Sequence, residues 1–80
     1  MQYIATFFTH FGAMSFQRKL SKLGVTGTMK PVPRNVSSSC GTCVVFDHPF
    51  DAATMAVEDM EKVFMAEGDG YREIYCSDEE

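Results

Sequence analysis

The sequence has no tryptophan, no long hydrophobic run and only three cysteines in 80 residues. Its first apolar stretch, residues 3–8, is far shorter than the roughly 20 residues that a membrane-spanning helix needs. No basic segment or small-residue cleavage site of a secretion signal accompanies it. Three cysteines are also too few, and an odd number, for the disulfide scaffold of a small secreted protein. These absences predict a cytoplasmic protein that binds no membrane.

Acidic residues are missing from the first half of the chain. Residues 1–46 carry five basic residues and no acid, whereas residues 47–80 hold all eleven acids and two bases. The halves therefore have formal charges of +5 and −9, which agree with the net charge of −4. One interpretation is that these charges cover solvated helix faces. The other is that the basic half creates a positive field suited to a thiolate or a small anion.

Periodic apolar residues predict an α+β domain over residues 1–76 and an acidic tail, residues 77–80, that we expect to fray. The predicted elements are a strand at 3–8, a helix from Thr9 to about Leu23, strands at 25–32 and 42–46, a helix at about 52–67 capped by Asp51, and a strand at 71–75. This β-α-β-β-α-β order is typical of a ferredoxin-like fold. The sheet would then have four antiparallel strands in the order 4-1-3-2, with both helices on one face.

The predicted topology also assigns residues to the two ends of the strands. Strands one and two run in the same direction, so the residues that follow them lie at the same edge of the sheet. Thr9 and His10 should therefore lie near Cys40. His48 and Cys76 should lie at the opposite edge.

The loop at residues 33–41 is the strongest candidate for a functional site. A reactive thiolate is stabilised by a nearby cation, a helix N-terminus or donated hydrogen bonds. The loop contains a cation, three hydroxyl donors and a glycine that permits close approach of the backbone; these residues are Arg34, Ser37, Ser38, Ser39 and Gly41, around the thiol of Cys40. The start of the first helix and a protonated His10 would add positive charge. The alternative is a polar loop whose cysteine packs under the sheet.

Cys40 and Cys43 have the C-x-x-C spacing of thioredoxin-like dithiols. Such motifs open a helix, whereas this one enters a predicted strand, in which the two thiols lie farther apart. Cys43 stays a candidate resolving thiol. Two cysteines and His10 would leave a zinc site without a full set of ligands, so we predict neither a metal nor a cofactor.

Aromatic residues alternate along the first and last predicted strands, on a face that helices would leave uncovered; they are Tyr3, Phe7, Tyr71 and Tyr75. RNA-binding domains of this topology stack bases on such a face. Here the domain is acidic and no basic residues lie among the aromatics. A homodimer interface therefore explains them better than a nucleic-acid partner does.

The segment Pro31–Gly41 (PVPRNVSSSCG) resembles the signature of the selenium/sulfur carrier-like proteins, a family of small bacterial domains. The layout of nearly the whole chain is also similar, including Thr9-His10 at the start of a helix. The resemblance implies that Cys40 holds sulfur or selenium as a persulfide or selenopersulfide. It also implies donor and acceptor enzymes as partners, and supporting roles for Arg34, Ser37, Ser38, Ser39 and Gly41.

Cys43 departs from this pattern, because an aliphatic residue is usual at that position. The Cys-Pro motif of better-known sulfur-relay carriers is also absent. The sequence is consistent with two functions. The first is a carrier, rather than a stand-alone enzyme, that works through Cys40. The second is a non-catalytic interaction or regulatory module, dimeric in form, in which Cys40 is structural.

Overall fold

The computed structural model describes residues 2–33, 36 and 39–77, which form an α+β fold with one antiparallel sheet. The strands are β1 (Tyr3–Phe7), β2 (Gly27–Pro31), β3 (Thr42–Phe46), β4 (Met60–Glu67) and β5 (Gly70–Cys76), and the helices are α1 (His10–Lys22) and α2 (Ala52–Met55). In this part of the chain, neither helix is long and apolar enough to cross a membrane.

Helix α1 begins and ends where its sequence predicts. Thr9 Oγ1 accepts a hydrogen bond from the backbone N–H of Gly12 at 3.1 Å and so caps the N-terminus. Gly24 has a φ of 78° just beyond the helix, a conformation that a residue without Cβ adopts at low cost. Lys19 and Lys22 lie in the last turn, where the helix dipole favours cations.

The predicted helix over residues 52–67 is wrong beyond Met55. Asp51 caps α2 as expected, and its Oδ1 accepts a hydrogen bond from the N–H of Ala53 at 3.1 Å. The helix ends after one turn, however, and residues 60–67 form β4. The apolar spacing in this segment fits a helix, but pairing along β1 buries Met60 and Val63 in the sheet instead. Long-range pairing has overridden the local preference.

The sheet has five strands in the order β2-β3-β1-β4-β5, so the predicted four-stranded ferredoxin-like order is wrong. β3 does lie between β1 and β2. The difference is β4, which lies between β1 and the last strand. Because every pairing is antiparallel, the added strand reverses the direction of the last strand relative to the prediction. β5 therefore ends at the same edge of the sheet as β1 and β2.

The core lies between α1 and the sheet, with Phe16 at its centre. The Phe16 ring centroid is 5.5 Å from that of Phe7 and 5.3 Å from that of Phe46. Full burial of such a side chain stabilises the fold by roughly 1.5–3 kcal/mol. The other buried members of this cluster come from both layers; they are Tyr3, Ala5, Ala13, Leu20, Val44, Met55, Met60 and Val63. The prediction that Tyr3 and Phe7 lie on a face that the helices leave uncovered is wrong, because both side chains are buried in this core.

Candidate functional site

All three cysteines lie at one edge of the sheet, which we call the cysteine edge. Here β1, β2 and β5 end and β3 and β4 begin. Cys40 precedes β3, Cys43 is its second residue, and Cys76 is the last residue of β5. The prediction that Cys76 lies at the opposite edge is wrong, because β4 reverses the last strand. Thr9 and His10 follow β1 at the cysteine edge, and His48 follows β3 at the other.

Cys40 is half-buried in a loop whose two ends are joined. The backbone N–H of Val32 donates to the carbonyl of Gly41 at 3.1 Å, and this bond extends the β2–β3 pairing into the loop. Val36 is only 5 % exposed and anchors the middle of the loop. The Cys40 side chain packs against the hydrophobic core, and its Sγ lies 3.5 Å from the carbonyl oxygen of Thr42. The thiol is thus held in place while part of it faces solvent.

Gly41 has a φ of 74°, and a Cβ added there would meet no atom within 4 Å. Backbone conformation, rather than space, therefore favours glycine at this position. Ser39 donates its backbone N–H to Glu61 Oε1 at 3.1 Å, so a β4 carboxylate holds the residue before Cys40. The other predicted supporting residues lie outside the described residues; they are Arg34, Ser37 and Ser38.

The positive end of α1 already has an acidic partner. Thr9 Oγ1 donates to Asp59 Oδ2 at 2.8 Å, and the N–H of Phe8 donates to the Asp59 carbonyl at 2.7 Å. Gly12 permits this approach, because a Cβ on it would lie 2.8 Å from the Asp59 Cβ. Asp59 therefore interacts with the positive end of the α1 dipole, which the sequence analysis predicted would stabilise the Cys40 thiolate.

Positive and negative charges therefore lie together at the cysteine edge, where the N-terminus of α1 meets the carboxylate of Asp59. Asp59 and Glu61 come from the acidic half of the chain; Asp59 contacts the start of α1, and Glu61, in β4, contacts the loop. Sequence reasoning missed both, because it placed them on the solvated face of a helix. Only the pairing of β4 with β1 reveals their position. His10 is exposed at the start of α1, and among the described residues no hydrogen bond joins it to Cys40.

Cys43 is fully buried in β3, and its Sγ lies 3.7 Å from the carbonyl oxygen of Pro31. Burial raises the pKa of the Cys43 thiol, because a thiolate loses hydration inside the protein. The Lys30 ammonium acts in the opposite direction and lowers this pKa, and the charge of Cys40 raises it further. Cys43 is therefore held as a neutral thiol, the weaker nucleophile of the two protonation states.

Cys76 is exposed and is separated from Cys43 by two strands. Strand pairing sets Cys43, Thr6, Lys62 and Cys76 in one row across β3, β1, β4 and β5. Neighbouring strands are about 4.8 Å apart, so the Cα atoms of these cysteines are separated by roughly 14 Å, beyond the about 7 Å limit for a disulfide. Lys62, next to Cys76, pairs with Glu73 at 3.3 Å.

Within residues 2–33, 36 and 39–77, no three histidine, cysteine, aspartate or glutamate side chains are grouped so that they could hold a metal ion. The acidic residues at the edge are instead engaged with backbone and hydroxyl donors, Asp59 with Thr9 and Glu61 with Ser39. What the arrangement offers chemically is a set of three thiols with different accessibility.

A family model described as "Putative Se/S carrier protein-like" matches residues 2–76, from β1 to the end of β5. The chain belongs to this family. The family is the one that the sequence resembles, and its description names a carrier of selenium or sulfur. Comparison with curated proteins and with solved structures gives no match.

Proposed function

We propose that this Se/S carrier-like protein holds sulfur or selenium on Cys40, as a persulfide or selenopersulfide, and passes it to a partner enzyme. Family membership supports the class of function. The observation that carries the choice of residue is the half-buried position of Cys40 in a loop closed at both ends. A carrier thiol must meet a partner's reactive group and also shield its cargo from water, and such a position suits both needs.

The transfer chemistry needs no external oxidant or reductant. In loading, the Cys40 thiolate attacks the terminal sulfur of a donor persulfide, the donor S–S bond breaks, and the donor leaves as a thiolate. In unloading, an acceptor thiolate attacks the terminal sulfur on Cys40, and Cys40 leaves as a thiolate. Thiol–disulfide exchange proceeds by the same attack and departure, and is fastest when the attacking thiol has a pKa near the ambient pH.

We assign the supporting roles to residues around Cys40 in the loop. Arg34 supplies a permanent positive charge, and the hydroxyls of Ser37, Ser38 and Ser39 donate hydrogen bonds to the thiolate or to the bound sulfur. Gly41 gives the turn its positive φ. His10, at the same edge, adds charge when it is protonated. Asp59 and Glu61 place negative charge at the same edge, through their contacts with Thr9 and with the N–H of Ser39.

Cys43 is poorly suited to act as a resolving thiol that releases the cargo from Cys40. Its full burial and raised pKa both disfavour the thiolate that a resolving step would need. Release of the cargo by an acceptor enzyme therefore fits the surroundings of Cys43 better than release through a Cys40–Cys43 disulfide. A Cys43→Ser variant should load and unload as the wild type does, provided that it folds.

Intact-mass measurement tests the proposal. The protein is incubated with a cysteine desulfurase and cysteine, and the mass of one added sulfur atom is sought. Wild type and the Cys43→Ser and Cys76→Ser variants should gain the sulfur, and Cys40→Ser should not. Loss of the added mass on mild reduction identifies it as a persulfide. Sulfur retained on Cys40→Ser would overturn the choice of thiol. No sulfur on any variant, with this donor or with a small persulfide, would favour an interaction module.

A further inference from the structure

Four residues form a line along the outer side of α1, and we call them the outer stripe; they are Phe11, Met14, Arg18 and Lys22. Their spacing of three, four and four residues places them on one side of a helix with 3.6 residues per turn. The side of α1 that faces the sheet is set by Ala13, Phe16 and Leu20, which are all fully buried. The outer stripe therefore points directly away from the sheet.

The apolar half of the outer stripe lies beside the cysteine edge. Only two residues separate the end of β1 from the start of α1, so Phe11 and Met14 are in the first half of the helix, close to that edge. Phe11 is 68 % exposed and Met14 is 38 % exposed. Single exposed apolar residues are common on protein surfaces. Two of them one helical turn apart, at the same edge of the sheet as the proposed carrier thiol, form a small apolar patch on the side of α1 that faces away from the sheet.

The other half of the outer stripe is positively charged. Arg18 and Lys22 are exposed, and α1 contains no acidic residue. In the described part of the chain neither of them pairs with a carboxylate; the ion pairs found there join Lys62 to Glu73 and Arg72 to Glu67. No carboxylate of residues 2–33, 36 and 39–77 thus neutralises either cation, although the second half of the chain is rich in acids.

We propose that the outer stripe docks the protein that loads Cys40, a persulfide-bearing enzyme whose surface has an apolar pocket flanked by carboxylates. This inference rests on the proposed function of Cys40. A helix that inserts exposed apolar residues into a groove is a common mode of recognition, and large aromatic residues and arginine often dominate such interfaces. Complementary charge on the partner would accelerate encounter. Docking here sets the donor's sulfur next to the Cys40 loop.

A comparison of two sulfur donors tests the docking surface. One donor is a cysteine desulfurase converted to its persulfide with cysteine, and the other is glutathione persulfide, which needs no docking. Phe11→Ser should lower the second-order rate constant of loading from the enzyme by about tenfold or more, the size of effect expected for an interface anchor. Loading from glutathione persulfide should not change.

Two further variants separate docking from general surface effects. Leu23→Ser is the matched control, because Leu23 is 51 % exposed at the end of the same helix but lies outside the outer stripe; it should change neither rate. Replacing both cations, with Arg18→Gln and Lys22→Gln, should slow loading from the enzyme and weaken its dependence on salt concentration. Circular dichroism confirms that each variant keeps its helix.

The outcomes also distinguish failure of docking from failure of the carrier proposal. If wild type accepts sulfur from glutathione persulfide but not from the enzyme, or if Phe11→Ser loads from the enzyme at the wild-type rate, the docking surface is overturned and the carrier role stands. If Phe11→Ser slows both donors equally, its effect is on the Cys40 loop and docking is again overturned. If Phe11→Ser only converts a dimer to a monomer in sedimentation, a second copy occupies the stripe. If wild type loads from neither donor, the carrier proposal fails.

Discussion

Cys40, Cys43 and Cys76 lie at one edge of the sheet in three different surroundings. Cys43 is fully buried, Cys40 is half-buried against the core, and Cys76 is exposed at the end of β5. Exposure alone favours alkylation of Cys76, whereas the carrier proposal requires a reactive thiolate at Cys40. Because exposure favours Cys76 and thiolate reactivity favours Cys40, the order in which the two are labelled tests the carrier proposal.

Pulsed alkylation of the folded protein should label Cys40 first at neutral pH, then Cys76, with Cys43 last. Cys43 should react only when the fold opens, because its side chain has no contact with solvent. Mass spectrometry of peptides from each time point measures the three rates, and urea-unfolded protein supplies the reference. Arg34→Ala should slow the labelling of Cys40, since the proposed thiolate loses a cation. Fast labelling of Cys76 with Cys40 protected would favour the interaction module instead.

The raised pKa of Cys43 predicts a loss of stability at alkaline pH. In the unfolded chain this thiol ionises at its ordinary pKa, whereas in the fold burial keeps it protonated to a higher pH. The folded state then binds more protons than the unfolded state, so the free energy of unfolding falls as pH rises from the unfolded pKa through the raised one. Urea denaturation at pH 7 and at pH 9.5 measures this fall, which should be smaller in Cys43→Ala. Cys76→Ser, altered at an exposed thiol, is the control and should match wild type; an equal fall in Cys43→Ala would contradict the assignment.

At the scale of elements, the first turn of α1 packs closely against the turn before β4 at the cysteine edge. Asp59 has a φ of 68°, and its carboxylate and carbonyl contact Thr9 and Phe8. Gly12 lies on the helix where a side chain would strike this turn. The turn that brings β4 into the sheet is thus fitted to the first turn of α1.

Gly12→Ala should destabilise the protein, although alanine is the better helix former by about 1 kcal/mol. The new Cβ would lie 2.8 Å from the Asp59 Cβ, so the turn or the helix must shift. Overpacking of this kind costs typically 1–3 kcal/mol, and we expect a net loss of about 1 kcal/mol in the free energy of unfolding. Gly70→Ala is the control, because a Cβ there meets nothing within 4 Å and its φ is not positive. A Gly12→Ala protein more stable than wild type would contradict this close packing of α1 against Asp59.

For the whole molecule, the direction of the last strand determines at which edge of the sheet Cys76 lies. Glu61 contacts both sides of the cysteine edge, since its side chain accepts from the N–H of Ser39 and its carbonyl accepts from the N–H of Ser77. Cys76 therefore lies near the Cys40 loop. In a four-stranded fold with a helix at residues 52–67, β5 would run the other way and Cys76 would lie near His48.

A spin label on Cys76 distinguishes these two topologies. The label is attached to a Cys40→Ser, Cys43→Ala protein, in which Cys76 is the remaining thiol. Amide signals of Ser39 and Thr42 should broaden strongly in NMR spectra, and that of His48 should broaden little. The same protein with a diamagnetic label is the control. Stronger broadening at His48 than at Ser39 would mean that β4 is not in the sheet.

The features that the sequence by itself determined are local ones. The bounds of α1 follow from Thr9, which caps the helix through a residue three positions along the chain, and from Gly24, which ends it. The Cys40 loop could be recognised because its residue types are unusual and contiguous, and the family that it suggested is the one whose model matches residues 2–76. These signals depend on residues within a few positions of one another, so they can be recognised from the sequence alone.

The tertiary structure alone decided what residues 60–67 do, and with them the surroundings of Cys40. Their apolar spacing fits a helix, but Val63 pairs with Ala5 and buries its side chain in the core, a gain that exists only once β1 is in place. Pairing of segments almost sixty residues apart leaves no trace in local periodicity. Asp59 and Glu61 reach the cysteine edge because β4 begins there, and Cys76 does so because the added antiparallel strand reverses the direction of β5.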